Sequence, residues 1–215
     1  TLSVTGGIVS PVTINGTTPT LTIGDAGAED AKIVFDGNAQ DYHIGLGDNS
    51  DTLVIGKGSA LGATTAMSFD ANGIITKPLQ PAFQTKLAAD HDIAINSDVT
   101  ILYATEVFDI GANFASNTFT APVTGKYLFT VHFLLLTIDS AANYYQLKLT
   151  TSNRLYYDTI DPDFGQDNVY YGFSVTVLAD MDAGDTAIVK VQQNGGTAQT
   201  SIESSTSHFS GYLVA

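Results

Sequence analysis

The chain has 215 residues, 44% of them hydrophobic and 14% charged, and its 22 Asp and Glu against eight Lys and Arg leave it at −14. Ten Tyr and 11 Phe with so few charges exclude an intrinsically disordered chain, and eight cations exclude a phosphate-tracking, nucleic-acid-binding surface. The absence of Cys removes disulfides, thiolate metal sites and Cys nucleophiles, and no apolar run approaches the roughly 18 residues of a membrane span, so membrane insertion is not expected.

The chain opens on Thr1, and residues 1–7 are small and polar rather than basic and then apolar, so no signal-peptide pattern is read and the chain is expected to be a processed product or a fragment. β-Branched and aromatic residues come in short runs bounded by Gly, Asp and Asn, which predicts an all-β protein. Residues 1–77 carry a degenerate repeat of very short strands that end in Gly or Asp: Leu21-Thr22-Ile23-Gly24-Asp25, Ile33-Val34-Phe35-Asp36, His43-Ile44-Gly45-Leu46-Gly47-Asp48, Leu53-Val54-Ile55-Gly56 and Met67-Ser68-Phe69-Asp70. Asp48-Asn49-Ser50-Asp51 reads as a hairpin turn. Strands this short bury little alone. The expected solution is three chains wound about one axis, a β-prism or shaft, in preference to a single-chain solenoid.

Lys77-Pro78-Leu79-Gln80-Pro81 forms a stiff, extended junction. Beyond it, residues 81–215 hold longer strands and nearly all the aromatics. Residues 81–90 read as one or two helical turns or equally as strand and loop. The central strand spans residues 125–137. Its odd positions Tyr127, Phe129, Val131, Phe133 and Leu135 form one face, while Leu128, Leu134 and Leu136 load the other around Thr130 and His132. A sandwich strand with one wet face should alternate apolar and polar. This strand does not, nor do residues 169–178 or 209–214, whereas Tyr145, Leu147 and Leu149 alternate properly with Gln146 and Lys148. One sheet of a jelly-roll sandwich is therefore expected to be covered from outside the chain, most simply by identical subunits.

At this point a resemblance enters. Residues 119–129 (Phe-Thr-Ala-Pro-Val-Thr-Gly-Lys-Tyr-Leu-Phe) resemble the signature of the complement-1q and tumour-necrosis-factor superfamily head. Ala82-Phe83, Val107-Phe108-Asp109, Asn113-Phe114, Val177-Leu178 followed by Ala183-Gly184-Asp185, and Phe209-Ser210-Gly211-Tyr212-Leu213-Val214 resemble its other elements in the expected order. The resemblance covers residues 81–215. It implies a ten-stranded jelly roll, a compact homotrimer with its chain termini on one face, and a binding module with no shared catalytic residues. Residues 42–56 and 69–76 are similar to segments of phage tail-fibre and other virion proteins, marine phages and cyanophages in particular. Together these imply a non-enzymatic, trimeric tail fibre or spike on the virion surface. Residues 1–77 would be the shaft or attachment region that meets other virion proteins, and 81–215 the head that binds a host surface glycan or outer-membrane component. A capsid decoration or head-fibre protein, a secreted cellular adhesin and a glycan-cleaving spike are the alternatives.

Chemistry-bearing patterns are sparse. No Gly-x-Ser-x-Gly elbow occurs, and His132 and His208 fall in strands where packing or hydrogen bonding is their expected role. No cofactor is required. Asp161, Asp163 and Asp167, with Asp158 nearby, are candidate Ca²⁺ ligands in one loop, but they lack the closing Glu of an EF-hand and also read as a solvated turn. Residues 139–143, 158–168 and 193–199 are the loops expected to meet a receptor. Three chains at −14 each carry −42, and repulsion on that scale opposes assembly unless ions screen it. A trimer should therefore melt at a higher temperature in salt or Ca²⁺ than in EDTA at low salt. Equal melting temperatures in the two buffers would count against it.

Overall fold

A computed structural model describes residues 11–215. The sequence reading of residues 1–7 lies outside the described residues. The chain divides into two compact units at Pro78 and Leu79, and every regular element among the described residues is a strand.

Unit 1 is an antiparallel meander of β1 (Ala31–Phe35), β2 (Tyr42–Gly47), β3 (Thr52–Lys57), β4 (Thr65–Phe69) and β5 (Ile75–Thr76), paired in that order. Short turns set the register. Residues 48–51 turn between β2 and β3, with Asp51 at φ +48°, and Asp70 Oδ1 accepts the N–H groups of Asn72 and Ile74 at 2.9 and 2.8 Å between β4 and β5. Two expectations need correction. β1–β4 run to five or six residues, longer than the very short strands expected, and residues 21–25 are not a strand: they join no ladder among the described residues, and Leu21 is exposed.

The register sorts the side chains of this sheet. Ile33, Ile44, Ile55 and Met67 lie opposite one another in one row, and Ala31, Leu46, Leu53, Phe69 and Ile75 in the next, all on one face. The other face holds Lys32, His43, Gly45, Val54 and Gly56, and residues 58–64 fold over it. His43 Nδ1 donates to Gly58 O at 2.8 Å and Lys32 Nζ to Ser59 O at 2.8 Å. Glycine makes room for this cover: a Cβ on Gly56 would stand 2.7 Å from His43 Nε2 and 2.6 Å from Thr64 O.

Unit 2 is a jelly roll of two antiparallel sheets. The seven-stranded sheet contains β6 (Ala82–Lys86), β7 (His91–Asp92), β9 (Thr105–Ile110), β12 (Gly125–Ile138), β15 (Asn168–Met181), β17 (Ser201–Ile202) and β18 (His208–Leu213). The six-stranded sheet contains β8 (Asp98–Thr100), β10 (Phe114–Ala115), β11 (Thr118–Thr120), β13 (Ala142–Thr151), β14 (Leu155–Ile160) and β16 (Thr186–Gly195). Two-residue pieces such as β7, β10 and β17 raise the number of strands above the ten that the resemblance implies. The helical option for residues 81–90 is replaced by β6, whose Phe83 and Thr85 point inward.

The core lies between the sheets. Tyr127, Phe129, Val131, Phe133 and Leu135 of β12 face Tyr145, Leu147 and Leu149 of β13 and Val189 and Val191 of β16, all buried. At one end Phe83 stacks on Phe119 (4.8 Å, 15°) and Phe114 (5.1 Å, 22°) and meets Phe209 edge-on (4.9 Å, 83°). The family-like motifs meet here because their backbones pair: Ala121 N–H donates to Asp185 O and Gly184 N–H to Ala121 O, both at 2.8 Å. Thr137 breaks the alternation of β12. It is skipped in the ladder to β15, takes φ +53° and faces solvent, so that Ile138 and Asp139 turn inward.

Gly211 and Tyr103 carry the sharpest tests of this packing. A Cβ on Gly211 would lie 2.5 Å from Phe129 and 2.9 Å from Phe83, so Gly211→Ala should destabilise unit 2 by about 2 kcal/mol. The Tyr103 hydroxyl is buried with no hydrogen-bond partner, and that burial raises its pKa well above the ordinary value. Tyr103→Phe should therefore raise stability by about 1 kcal/mol. Denaturant unfolding of the two variants checks both signs.

Candidate functional site: an open sheet face, a strand edge and an apical loop cluster

The outward face of the seven-stranded sheet is banded. Leu178, Leu128, Tyr212, Ala82 and Ile110 line up across β15, β12, β18, β6 and β9, and Leu178 and Tyr212 are exposed. Farther along β12, Leu136 pairs with the exposed Tyr170. Between these apolar bands lies a polar row of Ser174, His132, His208 and Lys86. His132 Nδ1 bonds Ser174 Oγ at 2.8 Å, and His208 Nδ1 donates to Thr206 O at 2.9 Å. The two rings stand 5.7 Å apart. Burial, and then the neighbouring His208, hold the His132 pKa below its ordinary value.

A second apolar surface lies at one edge of the sandwich. β15 pairs only with β12 and β14 only with β13, so each is an edge strand. Between them is a groove of about 480 Å³ lined by Leu155, Tyr156, Tyr157, Val175 and Val177, with Leu155 and Tyr157 exposed. The exposed Val169 extends this apolar edge. The edge and the face differ in shape and composition.

The third feature is the end of unit 2 farthest from its chain termini. At the start of β12, Lys126 N–H donates to Ala215 O and Leu213 N–H to Pro81 O. At its other end, about 45 Å away for an extended strand of this length, the three expected receptor loops are drawn together. Asp139 lies at their centre. Its Oδ2 accepts Ala198 N–H at 2.7 Å and also Thr197 N–H, and its Oδ1 accepts Ala141 N–H at 2.8 Å. Asp167 Oδ1 accepts the N–H and hydroxyl of Ser140 at 2.8 and 2.7 Å, which ties the loop before β15 to the loop after β12. Asn143 Nδ2 donates to Asn194 Oδ1 at 2.9 Å, and Phe164 stacks on Tyr171 at 5.6 Å.

The Ca²⁺ candidates are placed by the same contacts. Asp161 Oδ1 accepts Asp163 N–H at 3.2 Å, as in an Asx turn, while Asp167 is engaged by Ser140. Among the described residues no group of three or more His, Asp or Glu is placed to hold a metal ion, so Asp161, Asp163 and Asp167 share no coordination shell. Residues 158–160 belong to β14 and 193–195 to β16, so the loops proper are shorter than expected. Asp139 is the residue whose role sequence reasoning missed. Its partners Thr197 and Ala198 are far along the chain, and only an Asp closing a long apolar strand marks it.

The pH dependence follows from these contacts. Burial pushes the Asp139 carboxyl up, but the N–H groups of Ala198, Ala141 and Thr197 outweigh it and hold the pKa below its ordinary value. The Ser205 hydroxyl, with the N–H groups of Thr206 and Ser205, holds Glu203 down to about 2. A lowered carboxylate stabilises the fold above its unfolded pKa, and that stability is lost as pH falls through the folded value. A lowered His favours the neutral form, so its contribution is lost earlier, as pH falls below about 6.5. The melting temperature should thus fall in two stages on acidification. His132→Gln should remove the first stage and Asp139→Asn part of the second, and Asp139→Ala should cost about 2 kcal/mol at neutral pH by stranding its N–H donors. Melts across pH 2–8 of the three variants check this.

Comparison with known proteins bears on the jelly roll. No curated protein sequence matches the chain. The globular domain of the zebrafish complement 1qA protein is 18% identical, with a TM-score of 0.44, and the match covers 63% of this chain and 98% of that one. Murine APRIL is 12% identical, with a TM-score of 0.47, covering 63% and 99%. Domains of this kind bind or build rather than catalyse. The family model of the C1q domain matches residues 82–214, spanning both sheets, the Ala121–Asp185 pairing and the Phe209–Gly211 strand, and this chain belongs to the C1q domain family.

Proposed function

We propose that the chain is a trimeric, non-enzymatic virion protein, a phage tail fibre or spike whose C1q-like head attaches to a host surface glycan or outer-membrane component. The observation that carries the trimer is the pair of unlike apolar surfaces on the head. The outward sheet face bears Leu128, Leu178 and Tyr212, and the β14–β15 edge bears Leu155, Tyr157 and Val169. Packing the edge of one copy onto the face of the next covers both, and three such contacts close a ring. C1q domains usually self-associate in this number.

The adhesive part of the reading draws on the apex. In each head the loops around Asp139, Asn143, Phe164 and Asp167 stand opposite the head's own ends at Pro81 and Ala215, and they offer amides, carboxylates and an exposed aromatic ring. Such groups suit a polar, hydroxyl-rich ligand. Three weak sites on one particle hold by avidity. The virion assignment rests on the fibre-like texture of residues 42–56 and 69–76 and on the acidic charge. Residues 1–77 would join the head to other virion proteins.

Leu178 is exposed in the single chain, so Leu178→Glu leaves the isolated fold intact but places a carboxylate in the ring contact. The full chain should sediment at three times 22.6 kDa, and the variant at 22.6 kDa. On an array of microbial surface polysaccharides and lipopolysaccharides, the trimer should be retained at least 100-fold better than the variant. A monomeric wild type removes the trimer. A trimer that no arrayed surface retains removes the adhesive role.

A further inference from the structure

Among the described residues unit 1 has no apolar core of its own. Val54 and His43 are its only buried side chains larger than glycine among the described residues, and both lie on the face that residues 58–64 cover. The opposite face is apolar throughout its middle: Ile33, Ile44, Ile55 and Met67 form one continuous row, with the row of Leu46, Leu53 and Phe69 beside it. This patch is on the order of 20 Å on a side. Its acidic neighbours Asp30, Asp36, Asp48, Asp51 and Asp70 all sit in turns at the strand ends, and Lys57 stands at its border. A single layer of five short strands with one greasy face is not a stable unit in water; a second layer must close it.

We infer that the second layer is made of further copies of the same sheet: three chains pack their unit 1 sheets apolar face inward, as a β-prism with the Ile33–Ile44–Ile55–Met67 rows at its centre. The inference rests on the trimeric reading of the head. That reading supplies the reason for choosing this occupant, because a trimeric head tethers three copies of the sheet through the short Lys77–Pro81 junction at an effective concentration in the millimolar range. The Ile33–Met67 row and the Leu46–Phe69 row carry no charge, with Lys57 only at their border, so identical rows can interdigitate. The cover on the other face explains why only one side is available: Gly45 and Gly56 bring residues 58–64 down onto it, and a Cβ on Gly45 would stand 2.9 Å from Leu61.

The chain has no Cys, so single thiols report cleanly. Ile55 on the apolar face and Val34 on the opposite face are equally exposed in the single chain, at 37%. In full-length protein, Ile55→Cys should react with a water-soluble disulfide reagent at least tenfold more slowly than Val34→Cys. A short bis-maleimide should join Ile55→Cys chains in pairs, but not Val34→Cys chains. Leu46→Cys, nearer the rim of the same face, repeats the measurement should the central substitution disturb the packing. Sedimentation of the same samples separates the outcomes. A trimeric mass with a slow, cross-linkable Ile55→Cys thiol supports the prism. A trimeric mass with equal thiol rates overturns the prism and leaves the head trimer standing. A monomeric mass with a slow thiol overturns it, because the chain then covers its own face. A monomeric mass with equal rates overturns both readings.

Discussion

Both units are governed by one constraint: an apolar side chain on each face of a β-layer must be shielded from water, and a single chain here shields only part of what it presents. In unit 2 the inward residues of β12, from Tyr127 to Leu135, are fully covered by the six-stranded sheet. The outward residues of the same sheet are not. Leu178 and Tyr212 remain exposed although their row crosses five strands. At roughly 25 cal/mol for each Å² of apolar surface, leaving such bands wet is a standing incentive for association.

A polar row separates those bands. His132 and His208 stand side by side with Lys86 next in line, and burial, then the neighbouring His208, favour the neutral form of His132. Burying a neutral imidazole costs far less than burying an imidazolium ion. The apex is organised differently. Its hydrogen bonds are made among the loops, around Asp139 and Asp167, and tie them to one another. Loops held in this way lose little further conformational freedom on contact with another molecule.

The strands of unit 2 were legible because period-two patterning survives in them. Tyr127, Phe129, Val131, Phe133 and Leu135 alternate with a mixed set, and the structure puts the two sets on opposite sides of the sheet. The end of β12 was not legible. A Thr at φ +53° is uncommon, and nothing local marks Thr137 as the residue that turns Ile138 and Asp139 inward. The pattern at Leu21-Thr22-Ile23 looked like a strand and is not one, because alternation describes a surface that wants a neighbour and cannot say whether a neighbour is there. The loop cluster was legible only as three separate polar stretches. The contacts that unite them join Asp139 to Thr197 and Ser140 to Asp167, residues 58 and 27 apart.

Composition and patterning alone thus determined that the protein is all-β, acidic and free of thiol chemistry, and that some of its strands are apolar on both faces. These are properties of residues counted or read in short windows. The tertiary structure alone decided which surfaces those are. Register placed Ile33, Ile44, Ile55 and Met67 in one row, left Leu155 and Tyr157 on an edge, and converted three distant loops into one apex. The reason is that side chains on one strand know only their own alternation. The turns and cross-strand pairings, which act between distant parts of the chain, choose which of the two faces meets water.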